Sequence, residues 1–120
     1  MRLREPFLGC VLALLCSAVS AKGSIAAKEA AAHVGEHQTV CGTVASAKYL
    51  SNGKGSPTFL NLDAPYPNQI FTVVIWGDMR PRFSSPPESL MGEAICATGV
   101  ISLYRGTPEI VVNDPGQITR

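Results

Sequence analysis

Apolar and polar positions alternate along most of this chain, and the alternation divides it into five strand-like runs. "HQTVCGTVASAKYL" (37–50) sets Val40, Gly42 and Val44 on one side and Thr39, Cys41 and Thr43 on the other. That is the period of two of a half-buried strand. "TFLNLD" (58–63) sets Leu60 and Leu62 against Phe59, Asn61 and Asp63. "IFTVVIW" (70–76) sets Phe71, Val73 and Ile75 toward a core and Thr72, Val74 and Trp76 away from it. "EAICATGVISLY" (93–104) and "EIVV" (109–112) supply the last two strands. The segments between them carry turn chemistry: "SNGKGSP", "APYPNQ" and "RGTP". The connector "GDMRPRFSSPPESLMG" holds Pro81, Pro86 and Pro87, too many for a long helix. Ahead of the first strand, "IAAKEAAAHV" reads as a short alanine-rich helix, capped by Ser24 and ended by Gly35.

Three strands, a connector and a hairpin predict an all-β fold. The grouping fits a five-stranded Greek-key OB barrel with a short N-terminal helix. Gly42 and Gly99 fall inside strands, where a small barrel must bend. A five-stranded open sheet with one helix is the rival architecture.

The first residues have a different character. Arg2 and Arg4 precede an apolar run from Phe7 to Leu15, and Ser17, Ala18, Ser20 and Ala21 follow. This order predicts a secretory signal peptide over residues 1–21, cut after Ala21. The apolar run is short for a membrane anchor, which needs about 20 residues. Cys10 and Cys16 are not placed as a lipoprotein cysteine would be. The expected mature chain, 22–120, is one small OB domain in the periplasm or secreted.

Removing the signal changes the charge. The mature part carries eight basic and eight acidic residues, so its formal charge is zero. Global charge therefore gives no support to strong non-specific nucleic-acid binding, which needs several cations on one face. The mature part also keeps two cysteines, Cys41 and Cys96. In an oxidising compartment an even pair reads as a disulfide. Two separate buried thiols are the alternative.

"HVGEHQTVCGTVASAKYLSNGKGSPTFLNLD…NQIFTVVIW" resembles the anticodon-binding OB domain at the start of bacterial aspartyl-type tRNA synthetases. The likeness lies in His-Val-Gly, a β-rich run closing in Cys-Gly-x-Val, a Phe-bearing strand and an alternating strand, and it covers roughly Ala32 to Trp76. The whole mature chain also resembles small exported bacterial OB-fold proteins. The resemblance implies that Phe59 stacks on a base and that Thr72 reads a base edge. Strand parity points the same way, placing Phe59, Asn61, Thr72 and Trp76 on one outer face. Lys48, Tyr49, Arg80, Arg82 and Arg105 are the expected rim, with the first and last loops as walls. The family's run of arginines at the end of the first strand is here Ala45, Ser46, Ala47, Lys48 and Tyr49. That departure, together with export, argues against a synthetase-like role.

Other chemistry is thin. Asp63 and Asp78 do not group with Arg80, Arg82 and Arg105 into a nuclease-like centre, so the expectation is a binding module and not an enzyme. His33 and His37 are four apart, but Gly35 falls between them at the helix end, so no metal site is expected, and no cofactor. Tyr66, between Pro65 and Pro67, reads as a turn plug. Two functions remain: a module that binds single-stranded nucleic acid or a similar ligand with modest affinity, and an envelope protein whose barrel docks a protein partner or serves a stress role.

Overall fold

The computed structural model describes residues 23–120, and the expected signal peptide lies outside the described residues. Among the described residues eight strands form: β1 (Ile25–Ala26), β2 (His37–Tyr49), β3 (Thr58–Leu62), β4 (Thr72–Ile75), β5 (Ala94–Val100), β6 (Ser102–Tyr104), β7 (Thr107–Val111) and β8 (Ile118–Thr119). Five carry the barrel and correspond to the five apolar-polar runs; β1, β6 and β8 are short. The sheet order is β6-β7-β4-β3-β2-β5-β8, with β1 parallel to β2. β2, β3 and β4 form an antiparallel meander, β5 returns to pair with β2, and β7 lies parallel to β4.

This order closes on itself. β5 and β6 sit near opposite ends of the sheet, yet only Ile101 separates them in the chain. Ile101 is fully buried, its N–H donates to the Glu36 carbonyl and its carbonyl accepts from the Gly35 N–H. One continuous run therefore pairs with β2 through its first half and with β7 through its second. The fold is all-β, an OB-like barrel. Its interior is filled by the expected inward set, with Val40, Val44, Leu60, Leu62, Phe71, Val73 and Ile75 all nearly or fully inaccessible.

Two interior glycines have a cause other than bending. A Cβ on Gly42 would stand 2.8 Å from the Asp63 carboxylate, and one on Gly99 would stand 2.9 Å from Ile110. Asp63 has a positive φ of 67° and its Oδ1 accepts from the Thr43 N–H. Gly42 thus leaves room for a carboxylate that pins the end of β3 to β2. The bend of β2 falls two residues further on, where its register to β3 slips between Val44 and Ser46.

The expected helix is replaced by a 3-10 turn over Ala27–His33. Pairing of Ile25 with Val40 draws the preceding residues into the sheet, so Ser24 does not cap. Ala27 and Ala30 are the buried pair, three apart, which matches the three-residue period of a 3-10 helix. The Ala26 N–H donates to Glu29 Oε1 instead.

Cys41 and Cys96 are directly opposite in the β2–β5 register and form a disulfide, with Cα atoms 4.0 Å apart. A bridge of this kind is consistent with an oxidising, extracellular environment.

Candidate ligand groove

The outer face of β2, β3 and β4 carries a groove of about 740 Å³. Parity builds its floor. Ser46 and Lys48 on β2 stand opposite Asn61 and Phe59 on β3, and Asn61 stands opposite Thr72 on β4. Glu109 on β7 is the next neighbour of Thr72. Loop 63–71 adds Tyr66, Pro67 and Gln69, the end of β6 adds Tyr104, and the β6–β7 turn adds Arg105.

Of the residues expected on this face, Lys48, Phe59, Asn61, Thr72 and Arg105 are brought together here. Asn61 and Thr72 are more buried than an open platform would leave them, at 4 % and 7 % exposure. Val74, read as outward, is also buried. β7 pairs along the edge of β4 and sets Glu109 beside Thr72 and Val111 beside Val74, while Asn61 is flanked by Ser46 and Thr72. The two polar residues are also partly spent on each other. Thr72 Oγ1 donates to Asn61 Oδ1 at 2.7 Å, and Asn61 Nδ2 donates to Ser46 Oγ at 3.0 Å. The Tyr66 N–H donates to the same Ser46 oxygen, which ties loop 63–71 to the floor.

The remaining expected residues lie elsewhere. Trp76 is half-exposed at the end of β4 and packs under loop 51–57; a Cβ on Gly55 would meet its ring at 2.8 Å. Tyr49 has the opposite parity to Lys48 and faces the Arg80 guanidinium, which lies 3.5 Å from its ring centre. Arg80 Nη1 donates to Thr58 Oγ1 and to Glu88 Oε1, both at 2.7 Å. The Glu88 carboxylate raises the Arg80 pKa, and hydrogen bonding from Arg80 lowers that of Glu88. Arg82 pairs with Asp114 on the exposed surface. The walls also differ from expectation. The last loop contributes one, but the other is loop 63–71, and the first loop reaches the groove only through Leu50.

Among the groove residues that the sequence reading missed are Ser46, Tyr66, Gln69, Tyr104 and Glu109. Tyr66 does not plug its turn and is 72 % exposed. Tyr104 is 58 % exposed and carries the Arg105 guanidinium 5.2 Å from its ring centre. Glu109 sits partly buried, and desolvation pushes its carboxyl pKa above the ordinary value. Exposed aromatics beside prolines or at a hairpin tip were a usable signal. His33 and His37 lie in different elements, and His33 Nδ1 is 2.8 Å from Glu36 Oε1.

The arrangement offers three aromatic faces, two cations and one carboxylate. It can stack planar groups and neutralise about two negative charges. No protein-family model matches the chain, and no curated protein matches it. Among solved structures it is similar to one described as an aspartyl-tRNA synthetase from Leishmania major Friedlin, at 12 % identity and a TM-score of 0.48. The match covers 79 % of this chain and 20 % of that one, so the chain spans about a fifth of its length.

Proposed function

We propose that this chain is a non-catalytic OB-fold binding module of the periplasm or extracellular space, and that it holds a short single-stranded nucleic acid in the groove over β2, β3 and β4. The observation that carries this reading is the convergence of Phe59, Tyr66 and Tyr104 with Lys48 and Arg105 in one groove. Each base stacked on an aromatic contributes about 1–3 kcal/mol, whatever its identity. Two cations suit about two phosphates, so the ligand is a few nucleotides and not a tracked strand.

The test is salt-titrated fluorescence anisotropy of the purified protein with labelled hexamers of DNA and RNA. Two phosphate contacts to a single strand give a log–log salt slope of about −1.4. Lys48→Ala or Arg105→Ala should each reduce it by about 0.7. No binding at low salt would end the nucleic-acid reading. The envelope-partner reading would then stand. It draws support from Arg80 and Arg82 being paired away from the groove and from a carboxylate lying within it.

A further inference from the structure

Every other arginine among the described residues has a carboxylate partner: Arg80 pairs with Glu88, Arg82 with Asp114 and Arg120 with Glu93. Arg105 has none among those residues, and it is exposed in the groove. Its backbone is as unusual as its surroundings. β6 ends at Tyr104, β7 begins at Thr107, and these two residues pair, so Arg105 and Gly106 form a two-residue hairpin loop. Both have positive φ, 51° and 84°. That is the sign pattern of a type I′ turn, whose first central position favours Asn, Asp or Gly. A long side chain there crowds its own backbone. Asp63 and Ser56 are the other described non-glycine residues with positive φ, and each has a local reason. Asp63 Oδ1 accepts from the Thr43 N–H, and Ser56 Oγ donates to the Ser51 carbonyl. Arg105 makes no such side-chain bond among the described residues; its guanidinium lies 5.2 Å from the centre of the Tyr104 ring. At an exposed site a contact of that kind offsets only part of the backbone strain.

The turn thus carries an arginine that its backbone disfavours and that no carboxylate of the described residues holds. We infer that Arg105 is a specificity-determining residue of the groove, kept in a strained turn position because its guanidinium takes one oxyanion of the ligand in a bidentate grip: on the nucleic-acid reading, on which this rests, a single phosphate of the strand. A guanidinium presents a planar fork of N–H donors that matches two oxygens at once, whereas an ammonium acts as a point charge. The two cations of the groove are therefore unequal. Lys48 contributes charge, and Arg105 contributes charge and geometry together.

This arrangement makes stability and binding move in opposite directions, which a merely structural arginine would not do. Arg105→Asn gives the turn a residue it favours and removes the fork. It should raise the melting temperature by about 4 °C, since the strain is relieved. It should also weaken hexamer binding by at least about tenfold. Arg105→Lys keeps the charge and the strain and removes only the fork. It should melt as wild type does and keep the wild-type salt slope, yet bind about tenfold more weakly. Hexamers that each carry one uncharged methylphosphonate linkage locate the contact: at one linkage the difference between wild type and Arg105→Lys should disappear. The inference is overturned if Arg105→Asn melts lower than wild type. It is equally overturned if Arg105→Lys binds as tightly as wild type, or if no methylphosphonate position removes the difference between the two proteins. Any of these results with wild-type binding intact strikes this inference alone. Absence of any binding by wild type strikes the nucleic-acid reading together with it.

Discussion

Two carboxylates at opposite ends of the barrel show how differently the same residue type can be used. Glu88 lies against Arg80, which also holds the Thr58 hydroxyl and faces the Tyr49 ring; this latch ties the proline-rich connector to β2 and β3. Hydrogen bonding from Arg80 lowers the Glu88 pKa. Glu109 lies in the groove with no ion pair among the described residues, and desolvation raises its pKa. The arginines divide in the same way. Arg80 is committed to the latch, with a side chain only 16 % exposed, whereas Arg105 lies in the groove. A charge with a partner stabilises the barrel; a charge without one is available to a ligand.

The largest expected effect falls on the frame that both ends share. The disulfide links residues 55 apart across β2 and β5. Closing a loop of that length in the unfolded chain contributes about 4 kcal/mol. Reduction should therefore lower stability by about that amount in a denaturant titration with and without reductant. A midpoint unmoved by reductant would show that the bridge contributes nothing. Next in size is the latch. Arg80→Ala leaves the Glu88 carboxylate and the buried Thr58 hydroxyl without their partner, and should cost about 2–3 kcal/mol, reduced from the fully buried case because Glu88 is partly solvated. The folded fraction should bind oligonucleotides as wild type does, since Arg80 does not line the groove. If the variant kept full stability but lost binding, the division between latch and groove would be wrong.

The core and barrel were legible in the sequence because period-two alternation reports burial directly. Leu60, Leu62, Phe71, Val73 and Ile75 needed nothing more than parity. The cysteine pairing was legible for a similar reason, since both sit on the same parity of neighbouring strands. The site was legible only in part. Parity placed Phe59, Asn61, Thr72 and Trp76 on one face, but it cannot report what covers a face, and Trp76 lies outside the groove. Burial of Thr72 and Val74 depends on β7 joining β4 through a non-local parallel pairing. Arg80 and Arg105 look alike as letters in loops. Only the packing of the connector brings Glu88 to one and leaves the other beside Tyr104. The first helix failed because alanine propensity is a weak prior against strand pairing at Ile25.

The groove end is sharpened by Phe59→Ala. Phe59 is partly buried on the floor, so its loss removes a stacking surface while the barrel interior stays filled. Binding of a hexamer should weaken by roughly ten- to a hundredfold. Stability should fall by no more than about 1 kcal/mol, because only part of the ring is removed from water. A variant that fails to fold would make Phe59 core, and the comparison with the latch would lose its groove-side anchor.

The smallest effect, and the one that compares the two carboxylates directly, is in pH. Glu88 has a lowered pKa in the folded state, so its contribution to stability is present above the unfolded carboxyl value and is lost as pH falls through the folded one. Glu109 has a raised pKa, so the folded state holds its proton more tightly than the unfolded chain does. Its contribution is present below the unfolded value and is lost as pH rises through the folded one. The same proton acts on binding. Lys48, Arg105, Tyr66 and Tyr104 are the other ionisable side chains that line the groove. Glu109 is the carboxylate among the described residues that line the groove, and desolvation raises its pKa above the ordinary carboxyl value. Its ionisation places a negative charge beside the path of the phosphates. Hexamer affinity should therefore fall by about two- to fivefold as pH rises through the raised Glu109 pKa, the size expected of one solvent-screened charge at close range. Glu109→Gln should hold affinity near its acidic level throughout, and Glu88→Gln should leave the wild-type profile of binding unchanged while lowering stability above the carboxylate range. Affinity that rose with pH, or a profile unaltered by Glu109→Gln, would place the negative ligand elsewhere on the barrel.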